Sequence, residues 1–489
     1  MAKVTAVIDI GSNSARLVIY KKSSRFAFHL LHEATSRVRL PEDAYRHGGQ
    51  LQERAMKRTF DALENFLNIA SSFGARKILC VATSALRDAP NKKEFINRIN
   101  RELGLKIKVI NGVDEAIFGA RACLNLLPIV DAITVDIGGG STEFAFIRNK
   151  TIISSASLPL GTVRLKELYF DNNDIKGAKQ YIDEQLDKLP IEMLSDTLVG
   201  IGGTFRAIAN SILKHKTYPL DILHGFEFNV KNMDITIKKI LNADTKTLKK
   251  LNIKSTRYDT IKPGALIILQ LLHKMKNVDR FITSGVGVRE GVYLSDLLRN
   301  QNYKFPSNYN PSVRFLLDNF LVEKQFSNNL ASLTSRIFDA AHEHYEIDTK
   351  HKHALMVAAK LSPIGSSINF YSSNKHSLYL IQNSLEYGFT HQQIILIATL
   401  VRFVKRKSPS KAHLQEYKDV LPDDNTVEIL SLIISISLAL LAHRPKTINY
   451  NINFHDGCLH VNSNDNLYLV KEALDMLEYP TNLSVKIDT

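Results

Sequence analysis

The sequence of 489 residues contains only three cysteines, Cys80, Cys123 and Cys458, odd in number and scattered through apolar stretches. That excludes a disulfide framework and suits reduced thiols in a cytoplasm. No apolar run approaches the ~20 residues of a membrane span. The longest candidate, Ile429 to Ala442, has 14 residues and carries Ser431, Ser435 and Ser437, so a buried helix is expected there and no membrane partner. The opening MAKVTAVIDIGSNS runs straight into a strand pattern, without the h-region and cleavage site of a secretory leader. Glycine and proline, at 23 and 14 residues, are too few for a fibrous or low-complexity chain.

Acidic residues are scarce in one place. Residues 1–300 hold 45 Lys and Arg against 31 Asp and Glu, whereas residues 301–489 hold 18 of each. The whole net charge of +14 therefore lies in the first three-fifths of the chain. Such a concentration points to a polyanionic partner: nucleic acid, a nucleotide or polyphosphate. Single pairs such as Lys238-Lys239 need only a solvated helix face.

The length allows roughly three domains at ~150 residues each. Up to about residue 300, short β-branched runs alternate with helical stretches, the α/β pattern. Strands are expected at Val4–Ile10, Leu17–Tyr20, Ile78–Ala82, Ile107–Ile110, Ile133–Ile137, Phe144–Ile147 and Leu198–Ile201, with helices at Leu51–Phe73, Lys92–Leu103 and Asp174–Leu189. The polar stretch NQNYKFPSNYNPS then leads into mostly helical sequence. Near the end, Ile448, Tyr450, Ile452 and Phe454 alternate up to Asp456-Gly457, a hairpin signal.

An internal repeat is the strongest feature. DIGSNSARLVI begins at Asp9 and DIGGGSTEFAFI at Asp136, and they align at Asp9/Asp136, Ile10/Ile137, Gly11/Gly138 and Ser14/Ser141. Each reads as strand, tight turn of small residues, strand. Small residues leave backbone N–H groups free to form an anion nest, and glycine lets a phosphate approach the main chain. One such turn is most often a plain hairpin. Two, 127 residues apart, imply two related lobes presenting phosphate loops to a shared cleft.

Together with these loops, six further segments, ATSALRDAPN (82–91), INGVDEAIFGA (110–120), LPLGTVRL (158–165), GIGGTFRAIA (200–209), RYDTIKPGALIIL (257–269) and TSGVGVREG (283–291), resemble the exopolyphosphatase/guanosine pentaphosphate phosphohydrolase family within the actin-like ATPase superfamily. The resemblance implies an α/β fold of two actin-like (ribonuclease-H-like) lobes around a cleft. Lobe I is expected at 1–125, completed by a returning helix at 289–302, and lobe II at 126–288. AAKLSPIGSSIN (358–369), KHSLYLIQNS (375–384) and IATLVRF (397–403) resemble the helical HD-like domain of the family's longer members, expected at 305–420 and followed by a small α+β domain at 421–489. Where an HD site would supply His-Asp, this chain has Ser362-Pro363, which cannot ligate a metal in the same way. The run HEHYEIDTKHKH, with His342, His344, His351 and His353, lacks matched carboxylates and is expected at the surface.

Hydrolysing a phosphoanhydride needs charge neutralisation, in-line alignment and a base or positioner for water. By the resemblance, Glu115 orients or deprotonates the attacking water, with Asp114 its rival by adjacency. Arg87 is the candidate cation on the transferred phosphoryl, or else a structural partner of Asp88. Asp136 and Glu143, with Asp9 as repeat counterpart, are the candidate ligands of Mg²⁺, the implied cofactor, which favours oxygen donors. Arg16 replaces Glu143 in the first repeat, so the two loops are not equivalent. Ser12, Asn13, Ser14 and Arg16 from one lobe, and Gly138, Gly139, Gly140 and Ser141 from the other, would hold the terminal phosphate. Gly202, Gly203, Thr204 and Arg257 would hold a further one. The implied substrate is inorganic polyphosphate, guanosine pentaphosphate or both, the long form tilting slightly towards polyphosphate. No specific nucleic-acid partner is expected, and a homodimer comes only from the resemblance. The rival readings are an ATP-dependent kinase or chaperone-type ATPase on the same fold, and a non-hydrolysing sensor of guanosine pentaphosphate or polyphosphate.

Overall fold

In the computed structural model, which describes residues 4–44, 47–190, 195–321, 323–404, 408–479 and 483–488, the chain divides into two units between Tyr309 and Asn310. The first unit is built on two sheets of the same plan. One comprises β1 (Val4–Ile10), β2 (Ala15–Lys22), β3 (Phe28–Ser36), β4 (Lys77–Ala82) and β5 (Lys108–Val109), in the order β3-β2-β1-β4-β5. The other comprises β6 (Ala132–Ile137), β7 (Thr142–Arg148), β8 (Thr151–Leu158), β9 (Thr197–Ile201), β10 (Glu227–Asn229) and β11 (Arg280–Thr283), in the order β10-β11-β9-β6-β7-β8.

In both sheets the first three strands form an antiparallel meander, and the fourth lies parallel to the first. The second sheet therefore repeats the first, with β10 added antiparallel at its edge. The central strands read VTAVIDI and AITVDI because both of their faces are covered, and near-continuous apolar sequence suits such a position. Ile8 and Ile10 are fully buried, each worth about 1.5–3 kcal/mol relative to exposure. β3, FHLLHEATS, lies at an edge and keeps a mixed, partly exposed pattern.

Two helices connect the sheets to the site. Gly112–Leu126 packs on β7 and β8, and Val288–Leu297 packs on both that helix and β1. At their crossing a side chain on Gly291 would collide with the Phe118 backbone, so only glycine permits this approach.

The second unit is mainly helical, with one core running from Leu316 to Leu483. Its helix Asp424–Leu440 is buried nearly all round. The Ser435 and Ser437 hydroxyls donate to carbonyls four residues back, at 2.9 and 2.7 Å, which satisfies them within the apolar core. β12 (Asn451–His455) and β13 (Cys458–Asn462) form the hairpin, with Asp456 and Gly457 at φ 52° and 73°, as a mirror-image turn requires. β14 (Ser484–Asp488) adds parallel to β13. Ser362 and Pro363 begin a tight turn, the Ser362 carbonyl accepting from the Ser377 hydroxyl at 2.8 Å. His342 and His353 stack on Phe338 and Phe389, and His344 meets Phe454. Among the described residues all three cysteines are free and buried, and no helix is long and apolar enough to cross a membrane.

Candidate active site

The repeated loops are the same turn built twice. Between β1 and β2, Gly11 N–H donates to Ser14 O at 3.2 Å; between β6 and β7, Gly138 N–H donates to Ser141 O at 2.9 Å. Asp9 lies directly opposite Arg16 in the first ladder, and Asp136 opposite Glu143 in the second. Directly opposed residues share a sheet face, so each loop is flanked by a pair of side chains on one side. The first pair is a carboxylate and a guanidinium; the second is two carboxylates. The loops also touch, since a Cβ on Gly139 would stand 2.8 Å from the Ser12 Cβ.

They border a cavity of about 160 Å³. It gathers Asp9, Ser12, Asn13, Ser14, Arg16, Glu115, Asp136, Gly138, Gly139, Ser141, Glu143, Gly202, Gly203, Thr204 and Arg257. Gly140 is not on this lining; its carbonyl accepts from Arg164 Nε at 3.0 Å. Arg87 is also off the lining, standing behind Glu115 and Ser141. Residues that sequence alone leaves without a role complete the wall: Thr83, Ser84, Thr162, Arg206, Thr260, Gly287 and Arg289. Arg206 and Arg289 lie inside GIGGTFRAIA and TSGVGVREG, so the signal was in the segments that carry the resemblance. Ser84 joins Ser12 across 3.0 Å.

Two helices begin at the cavity. Gly202–His215 follows β9 without a linker, and Val288–Leu297 follows Gly287. Their first N–H groups have no intrahelical acceptor and carry the positive end of the helix dipole, which suits an anion. Gly202 sits at φ +88°, and a Cβ there would stand 2.6 Å from Asp136 Oδ1.

Glu115 and Asp114 separate cleanly. Asn111 caps the helix Gly112–Leu126: its side chain accepts from Asp114 N–H at 2.7 Å and donates to the Asp114 carboxylate at 3.2 Å. Asp114 is thus occupied at the helix start. Glu115, one residue on, turns inward and is buried in the cavity wall. Arg87 donates to Glu115 Oε2 at 3.0 Å, to Ile110 O at 3.2 Å and to Ser141 Oγ at 3.4 Å, and keeps a looser 3.5 Å pairing with Asp88. Burial, with the charge of Glu143, pushes the Glu115 carboxyl well above its ordinary range, against the pull of Arg87.

The other carboxyls are perturbed in the same direction. Burial pushes Glu143 up to about 8, although Ser141 and Ser157 hydroxyls bond to it; Ser157 donates at 2.9 Å. Asp136 is pushed up to about 6 by burial, with Arg206 opposing and Asp9 reinforcing. Asp9 is raised by burial against Arg289 and Arg16, and its Oδ1 is buried without a hydrogen-bond partner among the described residues. Carboxylates left this costly call for a cation. Among the described residues no three His, Cys, Asp or Glu side chains gather into a ready metal cage. Asp9, Asp136 and Glu143 could hold Mg²⁺ through one or two carboxylates, with phosphate oxygens and water completing its shell.

Four guanidinium groups face these four carboxyls. Arg206 donates to Gly285 O at 2.9 Å and is lowered to about 10 by burial and by the charges of Arg16 and Arg289. Arg257 is lowered by burial and by Arg16. Arg289 donates to Glu33 at 2.8 Å and, despite burial, is held charged by Glu290, Tyr20 and Glu33. Arg206 and Arg257, lowered by burial and by neighbouring cations, favour a polyanion beside them.

The chain matches the Ppx/GppA phosphatase family model over residues 18–300 and the model of domain III of Ppx/GppA phosphatases over 310–477. It is 27% identical over 412 residues to the guanosine-5'-triphosphate,3'-diphosphate pyrophosphatase of Vibrio parahaemolyticus, spanning 81% of this chain and 80% of that one. To the protein of the same name from Photobacterium profundum it is 26% identical over 447 residues, 88% and 85% of the two chains. Among solved structures, the Aquifex aeolicus member of the Ppx/GppA family superposes with TM-score 0.53 at 29% identity, over 62% of this chain and 99% of that one. An exopolyphosphatase from Cytophaga hutchinsonii gives TM-score 0.56 at 24% identity, over 62% and 100%, and shares the fold.

Proposed function

The chain belongs to the Ppx/GppA phosphatase family, and from that premise we propose that it releases the terminal phosphate of guanosine pentaphosphate, leaving the tetraphosphate. The observation that carries this reading is the meeting of two phosphate loops, four guanidinium groups and one buried, arginine-held glutamate in a single cavity. The names of the Vibrio and Photobacterium relatives favour this substrate.

In the proposed reaction the terminal phosphoryl lies between the N–H groups of the two loops, where Ser12, Ser14, Gly138, Gly139 and Ser141 surround its oxygens. Glu115 accepts the proton of a water aligned with the scissile bond, as the water oxygen bonds to phosphorus and the bridging P–O bond breaks. A carboxyl raised by burial is, once ionised, a better proton acceptor than an ordinary glutamate. Arg87 holds Glu115 in place and offers Nη2 towards the loop side, where charge gathers in the transition state. Arg16, Arg206, Arg257 and Arg289 hold the remaining phosphates, and the first turn of Gly202–His215 receives the second. Asp136 and Asp9, with Glu143 beside them, would hold Mg²⁺, which when bound supplies charge neutralisation to the phosphate oxygens.

Inorganic polyphosphate is the second reading, favoured by the excess of +14 confined to residues 1–300, more charge than a nucleotide needs. Phosphate release from guanosine pentaphosphate and from long-chain polyphosphate, compared as kcat/KM with Mg²⁺ present, tests the choice. A higher value for guanosine pentaphosphate is expected. A higher value for polyphosphate reverses the assignment, and release from neither removes both.

A further inference from the structure

A second cavity, of about 390 Å³, lies at the other end of β1 from Asp9, bordered by Val4 and Thr5, by the end of β2 and by the last turns of Val288–Leu297. It shares no lining residue with the catalytic cavity. Its volume falls within the ~300–1,000 Å³ of small-molecule pockets. Val4, Phe26 and Leu297 give it an apolar floor. Lys22, Arg25, Arg76, Lys77 and Arg299 surround that floor, against one carboxylate, Asp296. Asp296 pairs with Lys77 and, at 3.0 Å, with Arg299, so the surplus remains strongly cationic. Arg25 lies over the Phe26 ring, 4.9 Å from its centroid.

Tyr293 gives the cavity a packed aromatic wall. It lines this cavity and is 2% exposed, its ring held against Tyr20 and Phe28 with centroids 4.5 and 4.9 Å away.

We propose that this cavity is a binding site for an organic phosphate of nucleotide size. Its phosphates would lie among Arg25, Arg76, Lys77 and Arg299, and its body against Val4, Phe26 and Leu297. The apolar floor is what an inorganic ion would leave uncovered. The helix that brings Arg289 to the catalytic cavity in its first turn brings Tyr293 and Asp296 to this one.

Hydrogen exchange on the full chain, with GDP as probe and inorganic pyrophosphate and guanosine as its separate halves, tests the site. GDP is expected to protect residues 22–26 and 293–301, more strongly than either half. The double variant Arg25→Glu/Arg76→Glu, on exposed side chains, should lose that protection while releasing phosphate at the wild-type rate, which also verifies its folding. Protection confined to residues 11–16, 138–141 and 202–204 would overturn the proposal. So would protection that survives the double variant, or that either half produces as strongly as GDP.

Discussion

Replacing Arg87 with alanine separates its two proposed tasks. The first is to hold charge near the transferred phosphoryl, through the Nη2 that reaches Ser141 Oγ at 3.4 Å. Losing one preorganised donor in a site shielded from water costs about 2.7–4 kcal/mol, or roughly 10²–10³ in kcat. The second is to hold Glu115 ionised. Without the 3.0 Å bond and the charge of Arg87, burial and Glu143 act on Glu115 unopposed, so it stays protonated to higher pH. The acid limb of the pH–rate profile should therefore move to higher pH, and the deficit should shrink as pH rises. Stability should suffer far less than rate. Stranding a buried charge costs about 3–5 kcal/mol, but Glu115 can take up a proton instead, leaving the loss of a hydrogen bond, about 0.5–1.5 kcal/mol. Arg87→Lys keeps the charge without the fork that serves Ile110, Glu115 and Ser141 together, so it should recover only part of kcat. Phosphate release across pH 6–9, beside urea unfolding of each variant, reads all of this. Wild-type turnover in Arg87→Ala, with an unmoved acid limb, would refute the reasoning.

Three other outcomes follow from the same geometry. Chelating divalent cations should stop phosphate release and added Mg²⁺ restore it, with Asp136→Asn needing far more Mg²⁺ for half its maximal rate; a rate indifferent to chelation contradicts the donor assignment. Gly202→Ala should cost about 1–2 kcal/mol in urea unfolding for its positive φ, and should slow turnover because its Cβ displaces Asp136; unchanged values in both would show that the turn tolerates a side chain. In the second unit burial lowers the pKa of His351 and His413 below 6.5. The unfolded chain then binds protons first, so stability should hold above pH 7 and fall as pH drops through about 6.5, with His413→Gln flattening that fall in urea unfolding.

Much of the site is legible in the sequence because the two lobes repeat. The alignment of Asp9 with Asp136 and Gly11 with Gly138 becomes two identical turns, and the exchange of Arg16 for Glu143 falls at equivalent ladder positions. The central strands are equally plain, since burial on both faces demands unbroken apolar residues; Val4–Ile10 forms over the span its pattern indicates. β3 and β8, at sheet edges, carry polar residues at half or more of their positions and give no such signal. Arg206 is hidden for a different reason. An arginine in the second turn of a helix reads as a surface residue, and only the parallel pairing of β9 with β6 brings that helix over Asp136. Gly140 looks equivalent to its neighbours in a run of three glycines. Which N–H groups face the cavity depends on the turn, and there the Gly140 carbonyl is engaged by Arg164. Asp114 and Glu115 likewise look alike until the Asn111 cap claims the first.

Glu115→Gln tests the central claim most directly. The substitution keeps the shape of the side chain and removes a proton acceptor whose ionisation burial already opposes. Phosphate release from guanosine pentaphosphate should fall by about 10²–10⁴ in kcat, the range for loss of a general base, while substrate binding and thermal stability hold or improve. Turnover close to wild type would contradict the account and move the water-activating role to another carboxyl of the cavity.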